Sequence, residues 1–176
     1  MKRHNVAEIR RSVDALLRKN RVRKAPVRVS AIAKSLGAEI RYEPFDDEIS
    51  GVLYRDPEGV IIGVNALQHK NRQRFTIAHE IGHFLLHEFD VHVDRGYKVV
   101  LRDSASSQAT DPIEIEANQF AAELLMPIRL LENDVHEYLR DFEDETGLEE
   151  LAKLYRVSRQ AMAFRLANLG LVPPPH

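Results

Sequence analysis

The sequence predicts an α+β fold, in which a small, mostly antiparallel sheet is followed by an all-helical C-terminal part. Two observations lead to this prediction. Apolar and polar residues alternate between about residues 38 and 64, which is typical of strands, whereas helical spacing dominates before and after that region. At 176 residues, with 44% hydrophobic and 30% charged residues, the chain is large enough to bury a core and requires no second domain.

The first expected elements are two helices. Apolar residues at helical spacing, from Val6 to Leu17, predict an amphipathic helix over about residues 5 to 19. Ser30 is a plausible N-cap for a second, shorter helix, and Gly37 stands where a C-terminal cap belongs. We therefore expect the second helix to end at this glycine and the sheet to begin directly after it.

The sheet is expected to contain about three strands. Ile40 and Tyr42 alternate with charged residues in the first of them. The stretch GVLYRDPEGVIIGV, residues 51 to 64, predicts two more strands joined by a DPEG turn, because proline is favoured at the second position of such turns. Either this hairpin is purely structural, or it forms a wall of a cleft to which a substrate adds as a strand.

The stretch RFTIAHEIGHFLLH, residues 74 to 87, returns to helical spacing and contains an HExxH pattern. His79 and His83 are four residues apart and share one helix face, so both imidazoles can bind one Zn²⁺ ion. Glu80 lies beside that position, where it can act as a general base towards a water molecule. Unpaired histidines and a glutamate would be costly to bury in an apolar helix, which makes a helix with incidental histidines the weaker interpretation.

Two further residues of this stretch need an explanation. Gly82 costs a helix about 1 kcal/mol relative to alanine, so we expect another part of the chain to approach the backbone there. His87 continues the line of histidines, but each step of four residues turns about 40° round the helix. We therefore expect His87 to contact a ligating histidine or to lie at the surface, and not to bind the metal.

A catalytic zinc ion needs a third protein ligand, and without cysteine this must be His, Asp or Glu. The segment DPIEIEANQFAAELLMP offers Glu114 and Glu116. Glu114 shares its helix face with Asn118 and with small and apolar residues, so it is the better candidate, and Asn118 could hydrogen-bond a ligating histidine. The alternative is that Glu114 only completes a capping box with Asp111 as N-cap.

The two motifs together resemble the ImmA/IrrE family of metallo-endopeptidases, over about residues 29 to 126. The resemblance implies a compact zincin-like domain with a gluzincin-type zinc site. By this resemblance, His79, His83 and Glu114 are metal ligands and Glu80 is the catalytic glutamate. It also implies a protein substrate, typically a helix-turn-helix repressor in phage, mobile-element, stress or toxin-antitoxin-type regulation.

The chain is expected to have two parts. Residues 1–128 form the metallopeptidase domain, N-terminal helices included, and residues 129–176 form a helical tail packed on it, helix-turn-helix-like and not independent. Residues 101 to 112 are rich in Ser, Thr and Asp, which predicts a loop or lid.

The charge distribution leaves direct nucleic-acid binding open without favouring it. Residues 1 to 30 carry ten Lys or Arg, and residues 131 to 150 carry nine Asp or Glu. Because the net charge is only −2, the basic arm is better interpreted as a solvated helix face or as docking on the acidic segment. If the tail bound DNA, its recognition helix would begin with Ser158, Arg159, Gln160 and Arg165.

Other classes of protein are less consistent with the sequence. No segment approaches the roughly 20 apolar residues of a membrane span, and the N-terminus lacks an export signal, so we expect a cytoplasmic protein. The competing hypothesis to a protease is a binding module or antirepressor that docks on a transcriptional regulator. For a protease, the residue that stabilises the oxyanion is undetermined, with Tyr54, Tyr97 and His92 as candidates.

Overall fold

The computed structural model describes residues 3–88, 91–94, 111–139 and 145–172. These residues form seven helices and four strands. In chain order they are α1 (Val6–Lys19), α2 (Val29–Ser35), β1 (Ala38–Glu43), β2 (Gly51–Asp56), β3 (Gly59–Asn65), α3 (Lys70–Leu86), β4 (Val91–Asp94), α4 (Pro112–Leu125), α5 (Ile128–Tyr138), α6 (Glu145–Tyr155) and α7 (Arg159–Asn168). The predicted α+β class, with its helical C-terminal part, is confirmed. The expected loop or lid falls mostly outside the described residues.

The sheet has the strand order β1-β3-β2-β4. β2 pairs antiparallel with both β3 and β4, while β1 runs parallel to β3, so the sheet is mostly antiparallel, as predicted. The expectation of about three strands was one strand short. β4 has only the four residues VHVD, too few for an alternating pattern to stand out from chance.

The hairpin of β2 and β3 lies inside the sheet, because each of its strands is paired on both sides. Its turn is as predicted, since the Asp56 carboxylate accepts hydrogen bonds from the backbone N–H groups of Glu58 and Gly59. The interpretation of this hairpin as a wall that accepts a substrate strand is wrong for the described sheet. Its outer strands are β1 and β4.

The two N-terminal helices begin for different reasons. The Asn5 side chain caps α1 in a full capping box. In α2 the N-cap is Arg28, without a side-chain hydrogen bond, so the prediction of Ser30 as N-cap was wrong. Val29, the first residue of α2, is 1% exposed, which indicates that packing and not a cap decides where α2 begins. Gly37 ends the helix with φ +83°, as predicted.

One hydrophobic core joins the sheet to helices from both ends of the chain. Its largest fully buried side chains include Ile9, Ile32, Leu53, Ile62, Ile81, Phe120, Leu131, Leu151 and Tyr155. Burial of each such side chain stabilises the fold by about 1.5 to 3 kcal/mol. The core crosses the predicted boundary at residue 128, and that division stays a prediction. No helix in the described ranges has the length and apolar character needed to span a membrane.

A buried ion cluster ties α1 and α7 to α4. The Glu123 carboxylate accepts hydrogen bonds from the guanidinium groups of Arg10 and Arg165, and Arg165 also donates to the Met126 carbonyl. Burial would raise the pKa of Glu123, but the hydrogen bonds from both arginines lower it below its ordinary value. Arg165 is 4% exposed, so its side chain is not available for the DNA contact that the sequence left open as an unfavoured alternative.

Candidate metal centre

The HExxH motif lies in the middle of α3, where His79, Glu80 and His83 are fully buried. α4 packs directly over this part of the helix. A Cβ atom at Gly82 would lie 3.1 Å from Cβ of Phe120 and 3.2 Å from Cα of Ala117. The glycine inside the motif therefore permits the close helix contact that the sequence predicted.

A second glycine brings the sheet close to the same helix. A Cβ atom at Gly51, the first residue of β2, would overlap Cγ2 of Thr76 and lie 3.1 Å from Oε1 of Glu80. Any larger residue would push β2 away from the motif. The sequence reasoning missed Gly51, although a glycine at the start of a strand can signal such an approach.

Three potential metal donors converge at this point. Nε2 of His79 and Nε2 of His83 are 3.0 Å apart, and the Glu114 carboxylate lies 3.2 Å from the first and 3.3 Å from the second. In a tetrahedral site with bonds of about 2.0 to 2.1 Å, neighbouring donor atoms are about 3.3 Å apart. The spacing of these three donors therefore fits one ion of the size of zinc.

A hydrogen bond to Asn118 orients the first imidazole. Nδ1 of His79 lies 3.1 Å from Oδ1 of Asn118, which can only accept a hydrogen bond. The proton of the neutral ring is therefore on Nδ1, and the lone pair of Nε2 faces the common point. Asn118 makes the contact expected of it, and its contribution to metal binding stays a prediction.

A longer chain of contacts orients the second imidazole. Nε2 of His87 lies 3.3 Å from Oε2 of Glu116, and Nδ1 of His87 lies 3.0 Å from Nδ1 of His83. Because the Glu116 carboxylate can only accept a hydrogen bond, His87 donates to it through Nε2. Nδ1 of His87 then accepts a hydrogen bond from the Nδ1–H group of His83. This arrangement leaves the lone pair of Nε2 of His83 facing Glu114 and His79.

The structure excludes one of the two positions predicted for His87. The residue is 2% exposed, so it does not lie at the surface. It follows the last residue of α3 with an extended backbone, so the helical drift used to place it does not apply. Sequence reasoning also missed the role of Glu116, which it had considered only as a metal ligand. The neighbouring positions of Glu114 and Glu116 on α4 were the only available signal.

Glu80 lies beside the converging donors and has no hydrogen-bond partner for either carboxylate oxygen among the described residues. Its nearest cationic neighbour is His92, with Nδ1 3.4 Å from Oε2 of Glu80. Burial raises the pKa of Glu80, although His92 and His79 oppose this. A fully buried carboxylate without a hydrogen bond is costly, so the position of Glu80 fits a functional group better than a structural one.

His92, one of the candidates for stabilising an oxyanion, enters the site from β4. Its Nε2 lies 2.8 Å from Oε1 of Glu114, and its ring centroid is 3.8 Å from that of His83. Burial would lower the pKa of His92, but its hydrogen bond with Glu114 and its ion pair with Glu80 raise it to about 10. Of the other two candidates, Tyr54 is 41% exposed on β2, and Tyr97 lies outside the described residues.

The protonation states of the donors suit metal binding. Burial lowers the pKa of His83 to about 3, because the nearby Glu114 carboxylate does not compensate for it, so its ring is neutral. Burial would raise the pKa of Glu114, but its contacts with the imidazoles of His79, His83 and His92 hold it far below its usual range. For His79, the burial effect is outweighed by Glu114 and nearby carboxylates, which raise its pKa. Metal binding would compete with protonation of the His79 ring at Nε2.

A second group of donors, His79, Glu80 and Asp94, also lies close together. Asp94 is 2% exposed, and its carboxylate lies 3.8 Å from the Arg72 guanidinium. This set would use Glu80 as a ligand and leave the centre without its base. The set of His79, His83 and Glu114 leaves Glu80 free, and it is the better candidate.

Comparison with known proteins identifies metallopeptidases with similar sequences. The profile of a peptidase family described as the IrrE N-terminal-like domain, Peptidase M78, matches residues 33–167. The metallopeptidase ImmA of Bacillus subtilis is 28% identical over 157 residues, which cover 81% of this chain and 84% of that protein. The radiation response metalloprotease IrrE of Deinococcus radiodurans is 37% identical over 122 residues, covering 67% of this chain.

The chain corresponds to only part of some relatives. It spans 34% of the Deinococcus radiodurans protein and 40% of the Deinococcus deserti protein of the same name, to which it is 35% identical over 122 residues. A solved structure described as a Mycobacterium tuberculosis transcriptional regulator matches with a TM-score of 0.61 and 13% identity, over 92% of this chain and 46% of that one. This last similarity shows a shared fold alone.

Proposed function

The chain belongs to the IrrE N-terminal-like peptidase family and is similar in sequence to the metallopeptidases ImmA and IrrE, and we propose that it is a zinc-dependent endopeptidase. One observation carries the proposal: the donors of His79, His83 and Glu114 converge beside Glu80, a buried carboxylate without a hydrogen-bond partner among the described residues. A site with three donors and an adjacent base is the arrangement that hydrolysis by a metallopeptidase requires.

In this proposal, His79 and His83 bind the ion through Nε2, and Glu114 binds it through its carboxylate. Zn²⁺ is the proposed ion, because two imidazoles and one carboxylate are a common catalytic zinc set that keeps a position open for water. The ion, when bound, supplies Lewis-acid activation of the water molecule and of the peptide carbonyl. Asn118 and His87 keep the two imidazole rings oriented.

Glu80 and His92 are the groups that act on the substrate. Glu80 takes a proton from the attacking water molecule and passes it to the amine of the leaving peptide. The burial that raises the pKa of Glu80 makes it a stronger base for this step. His92 exchanges its contact with Glu114 for a hydrogen bond to the carbonyl oxygen, on which negative charge develops.

The proposed substrate is a helix-turn-helix repressor, cleaved in phage, mobile-element, stress or toxin-antitoxin-type regulation in the cytoplasm. The relatives named radiation response metalloproteases support a regulatory setting of this kind. The alternative is a binding module or antirepressor that inactivates a regulator by docking on it.

The test compares cells that express the wild-type chain with cells that express Glu80→Gln. New protein N-termini, catalogued by mass spectrometry, should include a cut in a transcriptional regulator with the wild type and none with the variant. Both purified proteins should contain the same amount of zinc, because Glu80 is not a proposed ligand. If the variant relieves repression as well as the wild type does, the docking alternative replaces the proteolytic one.

A further inference from the structure

A groove of about 640 Å³ lies next to the candidate metal centre, between α3, α4 and α7. Its lining is mainly apolar and includes Phe75, Ala122, Met126, Ala161 and Phe164. Its volume lies within the range of about 300 to 1,000 Å³ that is usual for ligand sites. The proposed reaction uses the metal donors, Glu80 and His92, so it assigns no role to this groove.

Phe75 lines the groove and also contacts the centre. The Phe75 ring stacks on the His79 ring, with centroids 6.1 Å apart and an interplanar angle of 30°. The two residues are four apart and so lie one turn apart on one face of α3. On α4, Asn118 contacts His79 and Ala122 lines the groove, again one turn apart. Two lining residues of the groove, Phe75 and Ala122, therefore lie one helical turn, about 5.4 Å along the helix axis, from His79 and Asn118.

The charged residues that line the groove are engaged within the protein. Arg165 is bonded to Glu123, which holds α7 against α4. Arg72 lies over the Phe75 ring, 5.4 Å from its centroid, and donates to Oγ of Ser50 at 2.9 Å. The groove thus offers mainly apolar surface, and a charged occupant would lose its hydration without gaining an ion pair.

We propose that this groove binds a large apolar side chain of the protein substrate, close to the bond that is cut, and that α7 thereby takes part in substrate selection. This inference rests on the proposed endopeptidase function. An extended peptide advances about 3.3 Å per residue, so a side chain one or two positions from the cut bond reaches the groove. Apolar pockets discriminate by about 10- to 200-fold between side chains that differ by one methylene group.

Four variants test the groove without altering a proposed metal ligand or Glu80. Ala161→Phe and Ala122→Phe fill it from α7 and from α4, and Phe164→Ala enlarges it. The matched control is Ala31→Phe, which adds the same side chain at an exposed position of α2.

The experiment digests a library of random decapeptides with the zinc-loaded full chain and identifies the cuts by mass spectrometry. The wild type and Ala31→Phe should favour a large apolar residue, such as leucine, phenylalanine or methionine, at one position beside the cut. In the filled variants, the ratio of cleavage beside large apolar residues to cleavage beside small residues should fall at least about tenfold. Phe164→Ala should shift it towards larger side chains, which provides a result even if a filled variant does not fold. A preference unchanged in the folded, zinc-containing variants overturns the proposal.

Binding by the inactive protein separates a failure of the groove from a failure of the proposed function. Library peptides are passed over immobilised Glu80→Gln protein, with and without Ala161→Phe. If the wild type cuts nothing, but Glu80→Gln retains apolar peptides that the double variant does not, the groove proposal stands and the endopeptidase proposal fails. If Glu80→Gln and the double variant retain the apolar peptides equally, the groove proposal is overturned. It is also overturned if neither protein retains any peptide and the wild type cleaves without selectivity. A change of oligomeric state caused by Ala161→Phe, without a change in cleavage, would instead identify a second copy of the chain as the occupant.

Discussion

Two buried glutamates near opposite ends of α4 have different surroundings. Glu123 receives hydrogen bonds from two guanidinium groups, so its charge is matched. Glu114 faces the imidazoles of His79 and His83, and the carboxylate of Glu80 beside it has no hydrogen-bond partner among the described residues. The Glu123 cluster pairs a carboxylate with two fixed cations, whereas the Glu114 cluster brings three potential metal donors together beside a further carboxylate, where a cation can bind. The difference distinguishes a structural cluster from a functional one on the same helix.

Removal of a proposed ligand should have the largest effect. His83→Ala should reduce zinc from about one ion per chain to none and abolish cleavage, because a structural or catalytic zinc site needs at least three protein ligands. Elemental analysis of the purified proteins measures this directly. Full zinc content in the variant would show that the ion is held elsewhere, and the Glu114 cluster would lose its functional interpretation.

Glu80→Gln should lower kcat by about 10²- to 10⁴-fold, which is the usual contribution of a general base. The same substitution should raise the thermal unfolding midpoint of the metal-free protein, because burial disfavours the charge of Glu80 more than His92 and His79 favour it, as its raised pKa indicates. Calorimetry with a chelator present tests the second effect. A lower midpoint would mean that Glu80 has a stabilising partner, and the contrast between the two clusters would weaken.

The corresponding substitution at the other cluster, Glu123→Gln, should lower stability by about 3 kcal/mol, because it leaves Arg165 buried without its anion. The folded protein holds the pKa of Glu123 below its ordinary value of 4.5, so its contribution is present above that pH. This contribution of Glu123 to the free energy of unfolding is lost as the pH falls from 4.5 towards the lowered pKa. The stabilities of the wild type and the variant should therefore become equal at low pH.

Denaturant unfolding between pH 3 and pH 7 measures this difference. Glu39→Gln is the control, because Glu39 forms an exposed ion pair with Arg41 and its loss should not change the midpoint measurably. A stability difference that stays constant over the whole pH range would show that the charge of Glu123 does not stabilise the fold.

The smallest effect is expected for the contacts behind the imidazoles. Glu116→Ala should weaken zinc binding by about 10- to 100-fold, because His87 then no longer holds the His83 ring in the required tautomer. Competition with a zinc chelator gives the affinity. Ile115→Ala, a change at an exposed neighbouring position, is the control. Equal affinities of the two variants would limit Glu116 to a packing role.

Much of the site depends on local geometry, which is why sequence could predict it. The four-residue spacing of His79 and His83 brings their rings together on any helix, since the two residues lie one turn apart on the same face. The DPEG turn and the cap at Asp111 likewise depend on neighbouring residues. The residues on its helix face, and then the family resemblance, predicted Glu114 as the third ligand, and its position beside both histidines depends on how α4 packs against α3.

Contacts between elements that are distant in the chain could not be predicted without the folded structure. His92 contacts Glu114 because the short strand β4 lies beside α4 at the metal centre. Glu116 contacts His87 because α4 packs against α3. Arg165 is withdrawn from any DNA contact by its bond to Glu123, 42 residues away. The physical reason is common to all three. Local propensity and spacing determine a helix and the residues on its face, whereas the partner of that face depends on the packing of the whole chain.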